Sequence, residues 1–272
     1  MSEELKIVHT AIEKQTPPEM SGTSRRQFVT KTAVGIAGLS LLAGPAAALA
    51  DKKDTPAPTG ANDPQTILNV AATAEVLATI VNTVGWEKRL GRDFVTQRNL
   101  QTAAREELIH YRYLVSIGAV PATKRIWVPD AVFKNRSGLL NTLEVGDQIF
   151  INAYLLATKT FALAGNGGVA AVTAETMGVE AVHRALARQS NYKLGNDRAF
   201  MRFDTVEEAK DSPVAGQPGF TDILQAVTQL QAAGFGFGER SKAPGRFYDF
   251  DAVSGRTPDR ASVNTRTPSP GA

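Results

Sequence analysis

Two tetrapeptides in this chain set a carboxylate and an imidazole one helical turn apart: Glu107-Leu108-Ile109-His110 and Glu180-Ala181-Val182-His183. In a helix, positions i and i+3 share a face, so each pair can offer one oxygen and one nitrogen to the same metal ion. Two further glutamates stand in apolar surroundings. Glu75 lies among Ala71, Ala72, Ala74, Val76, Leu77 and Ala78, and Glu144 among Leu139, Leu140, Leu143 and Val145. A carboxylate buried in a helical core costs several kcal/mol unless it is paired or metal-bound. Taken singly, each glutamate reads as part of a polar helix face and each histidine as a satisfied core residue. Taken together, Glu75, Glu107, His110, Glu144, Glu180 and His183 point to a shared cation site.

The neighbours of these residues are less decisive. Glu106 adjoins Glu107 but points about 100° away around the helix, toward solvent. Asp147 shares the face of Glu144 one turn on and reads equally well as a partner to the site or as a surface acid. Tyr111, Tyr113 and Tyr154 lie close by in sequence, and core packing accounts for them.

Positioning six such groups requires long helices. Asp63 and Pro64 make a helix start, and apolar residues recur at Ile67, Leu68, Ala71, Ala74, Ala78, Val81 and Val84, so a first helix is predicted over about 64–90. A second is predicted over about 95–117, ended by Gly118. Residues 119–137 contain Pro121, Trp127 and Pro129 without sustained periodicity and read as a long connection. A third helix over about 138–164 and a fourth over about 169–190 flank the turn Asn166-Gly167-Gly168. Thr221–Ala233 suggests a shorter fifth helix, and strand signals are scarce. The expected fold is all-α: two helical hairpins joined by a long crossover, with a short fifth helix and a C-terminal extension.

The N-terminus reads as an address. Ser24-Arg25-Arg26-Gln27-Phe28-Val29-Thr30-Lys31 resembles the twin-arginine export motif, with the usual lysine displaced by one place. A weakly hydrophobic stretch follows from Ala33 to Ala50 and closes on Ala48-Leu49-Ala50, an A-x-A cleavage signal. The alternatives for 33–50 are a buried helix or an uncleaved membrane anchor. The expected organisation is a signal peptide at 1–50, a linker at 51–62, a helical domain at 63–235 and a C-terminal strap and disordered tail at 236–272. Localisation is then periplasmic or at the cell envelope, with the twin-arginine translocase as the export partner.

Composition narrows the chemistry. The chain has no cysteine, which excludes disulfides, thiolate metal sites and iron–sulfur clusters, so any metal must be held by oxygen and nitrogen. A formal net charge of +3, part of it in the targeting segment, implies no nucleic-acid partner.

The order Glu, Glu-x-x-His, Glu, Glu-x-x-His, one element per helix, resembles the di-iron and di-manganese carboxylate proteins of the ferritin-like class. The resemblance covers about 64–190 and implies a ferritin-like four-helix bundle holding two iron or two manganese ions. It implies that Glu107 and Glu180 bridge both ions, that Glu75 and Glu144 each serve chiefly one, and that His110 and His183 each complete one. Four carboxylates and two neutral imidazoles carry four negative charges, which two divalent ions neutralise. In some relatives an acid just before the Glu-x-x-His glutamate orients the opposite histidine, the place that Glu106 holds.

The expected function is an exported oxidoreductase acting on peroxide or dioxygen in oxidative-stress defence, of peroxidase or catalase type. A rubrerythrin-like relative carries its own cysteine-bound electron-transfer module, which is missing here. Two other readings remain: an iron-handling ferroxidase, and a non-enzymatic envelope protein similar to the desiccation-related proteins, with a structural metal pair. The sequence leaves a homo-oligomer open.

Overall fold

A computed structural model describes residues 62–196, 219 and 221–258, all within the unit Pro45–Ala272. The expected signal peptide, most of the linker and the end of the tail lie outside the described residues. The chain is mostly helical, with six α-helices and a small sheet among the described residues. Four helices are long: α1 (Pro64–Glu87), α2 (Phe94–Ser116), α3 (Arg136–Leu163) and α4 (Gly167–Ser190).

Each long helix begins on a side-chain cap that relieves its unpaired N-terminal donors. Asp63 accepts from the backbone N–H groups of Gln65 and Thr66, Asp93 from Thr96, Asn135 from Gly138 and Asn166 from Val169. Gly118, with φ of +101°, follows α2 in the left-handed region that glycine adopts without strain. The connection 88–93 folds α2 back along α1, and 164–166 folds α4 back along α3. These are the closest helix pairs, and α1 also packs on α3 and α2 on α4. The core between them includes Val76, Ile80, Leu100, Leu108, Leu139, Leu140 and Tyr154. Helix α1 is the one described helix long and apolar enough to cross a membrane, and 83% of its most apolar window is buried inside the protein.

The expectation of scarce strands is corrected. Within the connection between α2 and α3, Arg125–Pro129 forms β1, followed by a short 3-10 helix at Asp130–Phe133. After α5 (Leu224–Ala232) come β2 (Gly236–Phe237), β3 (Gly245–Asp249) and α6 (Phe250–Ser254). Strand β1 is central and antiparallel to both others, with Ile126 opposite Phe237 and Tyr248, and Trp127 opposite Gly236 and Phe247. A three-residue run, Ile126-Trp127-Val128, is too short to show a period, and its partners lie more than a hundred residues away. The sheet therefore joins segments on both sides of the boundary expected at 235. Trp127 anchors it by donating Nε1–H to the Ala243 carbonyl, and the Arg240 guanidinium lies over its ring. Gly245 is required there, because a Cβ would come within 2.4 Å of the Val128 carbonyl oxygen.

Candidate metal centre

Three of the four long helices bring Glu75 from α1, Glu107 and His110 from α2, and Glu180 and His183 from α4 into one buried group. The three glutamates are fully buried, and the histidines nearly so. One ligand atom from each of Glu75, Glu107, His110 and Glu180 lies within 4.8 Å of the others, so this group can hold metal.

The two central carboxylates divide their oxygens between the two histidines. Glu107 presents Oε2 to His110 Nδ1 at 3.4 Å and Oε1 to His183 Nδ1 at 3.2 Å. Glu180 does the same, with Oε1 at 3.3 Å from His110 Nδ1 and Oε2 at 3.4 Å from His183 Nδ1. Glu75 Oε1 lies 3.6 Å from His110 Nδ1, on the His110 side.

Although these atoms are close, many are not aligned for hydrogen bonds. Glu75 Oε2, Glu107 Oε2, both Glu180 carboxylate oxygens, both histidine Nδ1 atoms and Asp147 Oδ2 are buried without a hydrogen-bond partner among the described residues. Buried polar atoms are rarely left so, and several converging on one place fit a cation better than a set of hydrogen bonds.

On the third helix, the acid expected as a ligand is paired elsewhere. Glu144 is not brought into the group: its carboxylate forms ion pairs with Arg188 and Lys193. It sits one turn too early along α3, level with the last turn of α4, where those cations satisfy it. Asp147, one turn further on, is buried and lines a cavity of about 30 Å³ with His183 and Asn82. Burial pushes its carboxyl well up, as do the charges of Glu180 and Glu107, while His183 and Arg184 oppose the rise.

Surrounding groups orient these side chains. Glu106, part-exposed, accepts from Nε2–H of His183 at 2.7 Å, leaving Nδ1 to face inward. Asn82 Nδ2 donates to Glu107 Oε1 at 3.3 Å, and the Tyr154 hydroxyl donates to Glu75 Oε1. The sequence reading missed Asn82 and Tyr154 as site residues. A signal was present: Asn82 follows Glu75, and Tyr154 follows Asp147, by seven residues, two turns along one face.

The electrostatics describe a group short of positive charge. Burial raises Glu75 well above the usual carboxylate range, with Glu107 and Glu180 adding to the rise and His110 opposing it. For Glu107, burial alone would raise the carboxyl, but His183 and His110 outweigh it and hold it low. Burial would lower both histidines, yet Glu75, Glu107 and Glu180 raise His110, and Glu107, Glu106 and Glu180 raise His183, each well above the ordinary value. The carboxylates thus favour the protonated form of both imidazoles. A bound cation would displace those protons.

Comparison with protein-family models, with curated proteins and with solved structures finds no match to this chain.

Proposed function

We propose that this chain is a ferritin-like four-helix bundle carrying two iron or two manganese ions, exported by the twin-arginine translocase to the periplasm or cell envelope. There it acts as an oxidoreductase on peroxide or dioxygen in oxidative-stress defence. One observation carries the reading: Glu107 and Glu180 each turn one oxygen to His110 and the other to His183. Two carboxylates shared between two imidazoles are the donor arrangement of a paired-ion site with bridging glutamates. The all-oxygen-and-nitrogen donor set suits iron or manganese.

In this reading Glu75 and His110 complete one ion, and His183 and Asp147 the other, with Asp147 taking the part expected of Glu144. Two such ions would supply a redox-active pair that can bind both oxygens of peroxide or dioxygen. The protein's own residues fix the geometry and the protons. Glu106 holds the His183 ring so that Nδ1 faces inward, Tyr154 steers Glu75, and Asn82 steers Glu107. Burial of all three glutamates keeps the carboxylates from being solvated by bulk water and so leaves them to the cations.

The test uses the chain from residue 51 onward, purified and assayed for metal content and for oxygen release from hydrogen peroxide. Two ions per chain with rapid oxygen release supports the reading. Two ions without turnover of peroxide or dioxygen assigns the pair a structural role, a large iron load assigns storage, and a chain that binds no metal overturns it.

A further inference from the structure

A cleft of about 220 Å³ opens between α1, α3 and α5. Its walls are mainly apolar and include Leu77, Val81, Leu143, Phe150, Leu230 and Phe235. Asn82 and Asp147 also line it, and the same two residues line the small cavity that contains His183. The cleft therefore leads from α5 to the edge of the buried Glu and His group.

Hydrogen peroxide and dioxygen do not need this volume or this lining. A water occupies roughly 30 Å³ of liquid, whereas an apolar cavity of roughly 150 Å³ takes up benzene. A cleft with apolar walls and few polar groups at one end has the form of a small-molecule site, in which the walls bind and the polar groups orient. Here the polar end is Asp147, buried with Oδ2 free of any hydrogen-bond partner among the described residues, together with Asn82.

We propose that the cleft binds a small apolar organic molecule, about the size of a substituted benzene, with a single hydroxyl or hydroperoxyl group turned to Asn82 and Asp147. Its position as a substrate beside two metal ions rests on the function proposed above; its binding does not.

Gly146 provides the means to close the cleft. It lies on the wall within α3, and a Cβ added there meets nothing within 4 Å. Gly146→Leu starts from an open Cβ position and replaces a mid-helix glycine by a better helix former, and a melting temperature close to the wild type's checks that the variant is folded. Ala78→Leu narrows the cleft from α1.

The probe is 2-phenyl-2-propanol, a tertiary alcohol inert to mild redox chemistry, titrated into the chain with and without bound metal and followed by NMR and calorimetry. Saturable one-to-one binding is expected in both forms, weakened about tenfold or more by Gly146→Leu and by Ala78→Leu, with metal content unchanged. Absence of saturable binding, or equal binding by the wild type and both variants, overturns the proposal. Failure of the metal reading is separate: it appears as a chain that binds the alcohol but no metal.

Discussion

Two acids three residues apart on α3 meet opposite fates. Glu144 is surrounded by fixed positive charge from Arg188 and Lys193 at the end of the helix layer. Asp147, one turn deeper, faces Glu180, Glu107 and His183, and one of its oxygens has no hydrogen-bond partner among the described residues. The first region is complete as a protein: its charges are matched by side chains. The second is complete only with protons or a cation. A buried carboxylate can take up a proton or a cation when the surrounding side chains do not neutralise it, and burial alone does not separate the two cases.

The strongest way to break this contrast is to remove both shared carboxylates. Glu107→Ala with Glu180→Ala is expected to abolish metal binding altogether, as read by elemental analysis; retention of two ions would sink the assignment of the centre.

Acid should act next most strongly. His110 and His183 are raised above their ordinary 6.5, and Glu75 above its 4.5, so each must release a proton to bind a cation. Metal affinity is expected to fall by about a hundredfold or more between pH 7 and pH 5, measured by competition with a chelator. The metal-free fold behaves in the opposite sense. Groups whose folded values are raised stabilise it fully below their unfolded values and lose that contribution as pH rises through the folded ones. Glu107, held low, acts the other way only in stronger acid. The melting temperature of the metal-free chain should therefore fall from pH 5 to pH 8, and metal should remove the fall. A flat profile in the metal-free chain contradicts the charge assignment.

Asp147→Asn and Glu144→Gln then separate the two regions directly. The first is expected to weaken binding of one ion by about 10–100-fold, and the second to leave metal content unchanged. Glu144→Gln should lower stability by about 1 kcal/mol in a denaturant melt, because Arg188 and Lys193 lose a partner in a partly solvated setting. Metal loss in Glu144→Gln with none in Asp147→Asn would reverse the assignment on α3. The smallest effect is expected of Glu106→Gln. It keeps an acceptor oxygen for His183 but removes the charge, and should cost about tenfold in affinity at the His183 side.

Much of this was legible from local pattern. Both Glu-x-x-His pairs and Glu75 lie within strongly periodic helices, where spacing fixes the face, and the helix start at Asp63 follows from capping chemistry. Level along a helix was less legible than face. Glu144 and Asp147 both point toward the core side of α3, and only the axial position of α4 puts one beside Arg188 and the other beside His183. Tyr154 was explained as packing because an apolar ring with a hydroxyl at its tip fits a core without any bond to Glu75. The sheet was invisible because β1 has five residues and both its partners lie in the C-terminal segment.

The sequence by itself determined the helices, their buried faces and the donor types, because helical periodicity and the absence of cysteine are local or compositional properties. The tertiary structure alone decided that Glu144 pairs with Arg188 and Lys193, which oxygens face which imidazole, and what closes around β1. Those depend on how far one helix slides along another and on contacts across long stretches of chain, and no spacing within a single helix encodes that distance.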